Sequence, residues 1–267
     1  MNLKIGVLVV GSLDWESKDY GGACRDALVR HGGSLNPTRR CWRQQRLMDS
    51  ADSEFMVRVP IRYGRLSIGR GNTFTMVFSP EYEQRPGTAK VIQCRKTVSN
   101  FDDLLEEAIE LWVAESEAAN RGKLAARWGC VVLLTPDDFL DHPDRNERQR
   151  LLDAWASKVS QQKFYGELGF SSGDVDAANG PVITAGRLRI SWPTLAGGGS
   201  APFDLLLATA TDPEIGSRRT GYPSVEEIAS AWNADTLKKG GEVRYFRCNR
   251  LTGIQTSDDS AIERLLK

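Results

Sequence analysis

The sequence predicts an α+β protein: a mixed small β-barrel or sheet with packed helices in the N-terminal half, and a further α+β region in the C-terminal half. Three observations carry this. Strand-like runs precede helix-like runs in both halves, without strict strand–helix alternation. Residues 101–119, "FDDLLEEAIELWVAESEAA", repeat apolar side chains at helical spacing. Short apolar runs bounded by turn residues, such as "VLVV" and "GCVVLL", have the length of buried strands.

In chain order, residues 4–10 form a strand that Gly11-Ser12-Leu13 interrupts. "GACRDALVRH", 22–31, is a short helix ended by Gly32-Gly33. Residues 34–52 are polar and arginine-rich around Trp42. "EFMVRVPI", 54–61, is a strand, as are "NTFTMVFS", 72–79, and "GTAKVIQCR", 87–95, which follows a Pro-Gly turn. Asn100 or Asp102 caps the helix at 101–119, and acids fill its first turns, which suits the helix dipole. "WGCVVLLTP", 128–136, is a buried strand that Pro136 ends. A helix near 144–162 follows, then the polar loop "FSSGDVDAANG", then two strands, "ITAGRLRISW" and "FDLLLATATD", joined by the flexible "PTLAGGGSAP". A Ser224-capped helix, "SVEEIASAWN", leads to a strand, "EVRYFRC", and a short helix near 258–266. A boundary near 137–145 divides a region 1–136 from a region 137–267, with one continuous domain as the alternative.

The composition excludes several classes. Thirty-five basic residues balance 35 acidic ones, so no global charge draws the chain to nucleic acid or an anionic membrane. No apolar run approaches the length of a membrane span, and the N-terminus lacks the apolar core of a signal peptide; a cytoplasmic location is expected. The five cysteines are widely spaced without a CxxC, and His31 and His142 are the only histidines, which argues against a disulfide framework or a zinc site. The chain has no GxGxxG, no GxxxxGK[ST] and no GxSxG.

Two features point to chemistry. Gly11 after a buried strand permits a positive φ or close backbone approach, and the amides that follow can form an anion nest beside the Ser12 hydroxyl. On the helix at 101–119 the apolar arc centres on Ala108 and Trp112. Glu106, Glu107, Glu110 and Glu117 fall outside it and Glu115 falls inside. A carboxylate on a core-facing stripe is desolvated, which suits a general acid/base near neutral pH. The arginines form two groups, Arg39, Arg40, Arg43 and Arg46, then Arg58, Arg62, Arg65 and Arg70, read as solvated faces paired with local acids or as a clamp for an anion. Arg62 is the candidate substrate-binding arginine. With only Trp42 and Tyr63 interleaved, nucleic acid is a minor reading.

The stretch "VVGSLDW", with Trp15 two residues beyond Leu13, resembles the strand-end turn of the γ-glutamylcyclotransferase-like superfamily, and "LWVAE" brings Glu115 to the place of its single catalytic glutamate. The resemblance covers about residues 4–136. It implies a small mixed barrel, a substrate carboxylate held by the turn backbone at Gly11, Ser12 and Leu13, and proton transfer by Glu115 as an α-amine attacks a γ-glutamyl carbonyl to release 5-oxoproline. It implies no cofactor and no metal. Val10 stands where the family has tyrosine, Ser116 where many members have glycine, and residues 137–267 have no counterpart in a minimal member. The implied partner is a small anionic molecule, with no membrane partner; no protein partner is specified. The alternative is a non-enzymatic binding or assembly module that recognises an anionic ligand, an acidic protein or nucleic acid through the arginines at 58–70.

Overall fold

A computed structural model describes residues 1–67, 73–117, 122–162, 165, 182–211, 213, 222–233 and 241–266. In order they form β1 (Ile5–Val9), α1 (Leu13–Ser17), α2 (Gly22–Arg30), α3 (Pro37–Arg46), β2 (Glu54–Val59), β3 (Ile61–Ser67), β4 (Thr73–Phe78), β5 (Gly87–Gln93), α4 (Phe101–Ser116), β6 (Ala125–Ala126) and β7 (Gly129–Leu134). There follow α5 (Arg145–Ser160), β8 (Ile183–Thr184), β9 (Arg187–Leu188), β10 (Thr194–Leu195), β11 (Leu205–Thr211), α6 (Val225–Asn233), α7 (Gly241–Leu251) and α8 (Asp259–Leu265). The class is α+β as expected. Arg70 and the loop "FSSGDVDAANG" lie outside the described residues.

The barrel expectation is corrected to an open sheet. Nine strands pair in the order β10-β2-β5-β1-β11-β7-β9-β8, with β6 beside β7, and β3 and β4 form a separate two-stranded ribbon. β1 lies parallel to β11 and antiparallel to β5. β11, from beyond residue 136, sits between β1 and β7, so one sheet draws strands from both sides of the expected boundary. Its centre is apolar on both faces: all five residues of β1, all six of β7 and five of the seven of β11 are buried. No helix among the described residues is long and apolar enough to cross a membrane.

Local chemistry explains where the sequence reading succeeds and where it fails. The long acidic helix ends at Ser116, with Asn100 accepting a hydrogen bond from the Asp103 amide at 3.0 Å. Of the apolar stripe Leu104, Leu105, Ala108, Ile109 and Trp112, Leu105 and Ile109 are half-buried and the other three are buried, but so is Glu107, expected in solvent and found against Arg46 at 3.3 Å. The arginine-rich stretch holds a helix that the reading omits, α3, whose Asn36 cap and first-turn Pro37 are standard start signals. "EVRYFRC" is helical rather than extended. Its aromatic and β-branched residues favour a strand locally, but Tyr245, Cys248, Asn249 and Thr252 share one buried face at helical spacing. "ITAGRLRISW" is a tight hairpin, β8–β9, because Ala185 and Gly186 both take positive φ, the requirement of a two-residue turn. Pro60 divides the expected strand at 54–61 into β2 and the start of β3. Part of "PTLAGGGSAP" is ordered as β10 against β2.

Candidate functional site

A pocket of about 520 Å³ opens where the parallel strands β1 and β11 end. The carboxyl ends of parallel strands are a common place for ligand sites. One wall is Val10, Gly11 and Ser12, and Glu115, Ser116 and Glu117 at the end of α4 form the next. Arg65 on β3 with Thr75 and Met76 on β4 make a third. Thr209 and Thr211 of β11, Trp128 and Tyr245 of α7 complete it.

Gly11 is needed for close approach rather than for a left-handed turn. A Cβ there would run into the Tyr245 hydroxyl, and Gly11 is not among the positive-φ residues. That hydroxyl accepts a hydrogen bond from the Met76 amide at 3.4 Å, which fixes the ring against β4. Ser12 faces Arg39, whose Nη1 donates to its Oγ at 2.9 Å.

Arg39 organises this side of the pocket. It is 1% exposed, on α3, and uses all three nitrogens. Nε donates to the Ala114 carbonyl at 3.2 Å and Nη2 to the Glu115 carbonyl at 3.3 Å, so a cation closes the carbonyl end of α4. Nη2 also meets Glu115 Oε2 at 2.8 Å, and Nη1 meets Glu16 Oε2 at 2.5 Å. Glu115 therefore lines the pocket with a guanidinium at its back.

Behind that wall lies a second polar region. Asp14 is fully buried, and its carboxylate accepts from Lys90 Nζ at 2.7 Å, from Arg43 Nη1 at 3.4 Å and from the Tyr20 hydroxyl. Lys90 also donates to Tyr20, while Arg43 and Lys18 each meet Glu54 Oε1 at 2.6 Å. Burial, then the Asp14 charge, pushes the Tyr20 phenol well above its ordinary range.

Of the residues expected to form a site, Gly11, Ser12 and Glu115 meet in one pocket. Leu13 does not reach it: it is 4% exposed and begins α1, inside the core. Arg62 is elsewhere, its guanidinium 4.5 Å from the Tyr82 ring and 4.1 Å from Tyr222, with Glu81 at 3.3 Å. Neither arginine group is a uniform solvated face. Arg39 and Arg43 are buried, Arg46 binds the acids of α4, and Arg65 turns into the pocket.

The sequence reading assigned no role to Thr209, Tyr245, Trp128 or Lys90. Lys90 was detectable as a lone cation inside the apolar run "AKVI". Thr209 was detectable as a polar residue directly after the buried "LLLA". No family model, curated protein or solved structure matches the chain.

Proposed function

We propose that the pocket is the active site of an enzyme similar to the γ-glutamylcyclotransferases, releasing 5-oxoproline from a γ-glutamyl compound. One observation carries the reading. The Arg39 guanidinium is bonded at once to Ser12 Oγ and to the Glu115 carboxylate, so the turn and the acid, distant in sequence, are tied to adjoining walls of the same pocket. The reading rests on this site and not on a barrel.

In the reaction the substrate's α-amine nitrogen attacks its own γ-carbonyl carbon. A ring C–N bond forms, the bond to the leaving amine breaks, and one proton moves from the attacking nitrogen to the departing one. Glu115 is the group to relay it, taking the proton as the ring closes and returning it as the amine leaves, so the enzyme ends as it began. The Gly11–Ser12 turn is the place for the substrate's α-carboxylate. Where the family carries a tyrosine this chain has Val10, and the phenol that stands beside the turn comes instead from Tyr245 on α7.

The test is 5-oxoproline release from γ-glutamyl amino acids and amines by the wild type and by Glu115→Gln. Loss of the relay lowers kcat by about 10²-fold or more. A wild type without activity, or equal rates in the two proteins, overturns the reading.

A further inference from the structure

We propose that Trp128 is the specificity-determining side chain of this pocket and that its substrates carry a planar aromatic group on the leaving amine. The proposal rests on the cyclotransferase reading and names the substrate class that this reading leaves open. All seven tryptophans lie among the described residues. Five are buried, and Trp192 donates its indole N–H to the Ala201 carbonyl at 3.2 Å. Trp128 is the one that lines the pocket, half-buried in the turn between β6 and β7.

The ring is held from two sides. Trp112 of α4 stacks on it, with centroids 5.0 Å apart and planes 21° from parallel. The Arg65 guanidinium donates to the Trp128 carbonyl at 2.9 Å, which ties the turn to β3. Trp112 is 1% exposed and is not among the described lining residues, so the indole meets the cavity on the side that Trp112 leaves uncovered. Aromatic rings gain by stacking with an offset, and a ring already fixed loses little freedom when a ligand joins it.

The place of Trp112 on α4 decides which part of the substrate meets this surface. Glu115 is the third residue beyond it, on the same helix face. Trp128 therefore stands about one helical turn from the carboxylate that returns the proton to the leaving nitrogen. A substituent on that nitrogen extends along the α4 wall onto the indole. Leu66 and Met76 add apolar lining, and the volume of about 520 Å³ is that of a pocket for a drug-sized ligand, more than the γ-glutamyl half fills. An amine bearing an aromatic ring uses both the space and the surface.

The test compares γ-glutamyl conjugates of benzylamine, cyclohexylmethylamine and methylamine by 5-oxoproline release, with Trp128→Phe and Trp128→Leu beside the wild type. Expected for the wild type is a kcat/KM at least about tenfold higher with the benzylamine conjugate than with the methylamine one, and about threefold higher than with the cyclohexylmethylamine one. Trp128→Phe keeps part of the preference for the flat ring. Trp128→Leu, which keeps apolar surface without a face to stack on, removes it. These preferences are ratios within one protein, so a smaller folded fraction in a variant does not alter them. The free amines are also titrated into the same proteins by NMR on the indole N–H resonances, which reads the surface without the chemistry. Benzylamine is expected to saturate, to shift the Trp128 resonance, and to bind more weakly to Trp128→Leu. If the wild type binds benzylamine in this way but releases no 5-oxoproline from any conjugate, the cyclotransferase reading fails and the aromatic subsite is upheld. Equal rates with the benzylamine and methylamine conjugates, benzylamine bound no more tightly than methylamine, or undiminished binding to Trp128→Leu overturns the proposal.

Discussion

Asp14 and Asp259 are both buried, 0% and 3% exposed, and their surroundings are opposite. Asp14, in the first turn of α1, has both oxygens taken, by Lys90, Arg43 and the Tyr20 hydroxyl, and the region around it pairs Lys18 and Arg43 with Glu54 as well. Asp259, at the start of α8, uses one oxygen for the amide and hydroxyl of Thr256, at 2.9 and 2.6 Å, while its Oδ2 is buried without a partner. Burial pushes the Asp259 carboxyl up to about 6, against the pull of the Thr256 bonds and of Arg250. A buried acid is a fixed part of the fold where cations surround it. It becomes a titratable weak point where they do not. Removing the acid from the first region exposes its cations, whereas protonating the acid in the second relieves it.

The largest effect is expected at Asp14. Asp14→Ala leaves Lys90 and part of Arg43 as uncompensated buried charge, at a cost of about 3–5 kcal/mol of unfolding free energy in urea titrations. Adding Lys90→Met removes the stranded ammonium and recovers part of that loss, so the double variant is more stable than Asp14→Ala. A single-variant cost below about 1 kcal/mol would place Asp14 with ordinary surface acids and erase the contrast.

At Asp259 the effect runs through pH. The folded state holds its proton up to about pH 6, while an unfolded aspartate releases it near 3.8. Below that lower value both states are protonated and stability is at its highest for this group. Between the two values the folded state binds more protons, so stability falls as pH rises. Above about 6 the loss is complete, and its upper bound is about 3 kcal/mol. Asp259→Asn keeps an oxygen for Thr256 and removes the titration, so its stability is flatter between pH 4 and 6. A wild-type profile that does not fall relative to that of Asp259→Asn across this window contradicts the unpaired carboxyl.

The same division, between groups paired locally and groups paired across the chain, decides what the sequence revealed. Gly11, Ser12 and Glu115 were legible because a strand end and a helix stripe are local patterns. Arg39 was not, since its value lies in Glu115, 76 positions away. Nor was Thr209, a pocket-lining residue whose hydroxyl is buried without a hydrogen-bond partner. Elements followed suit. α4 and α6 carry their periodicity and caps within themselves, whereas α7 is decided by the core it packs on, with Phe246 5.2 Å from the Trp232 ring and 6.4 Å from Tyr63. One acid was misread and one was not. Glu107 was expected in solvent and is buried against Arg46, whereas Glu115, expected to face inward, stands between a guanidinium and the pocket.

The smallest effect sharpens the contrast from the solvent side. Ser224 and Glu227 form a reciprocal capping box at the start of α6: the Glu227 amide donates to Ser224 Oγ at 3.1 Å, and the Ser224 amide donates to Glu227 Oε2 at 2.8 Å. Both bonds are as well made as those of Asp14, but they are exposed, and water replaces whichever partner is deleted. Ser224→Ala therefore costs about 1 kcal/mol, measured by the same urea titration. If Ser224→Ala matched Asp14→Ala in cost, completeness of pairing rather than burial would set the energy of these polar sites. The ordering expected here, Asp14 well above Ser224, assigns the difference to the stranded buried charge that only the first deletion creates.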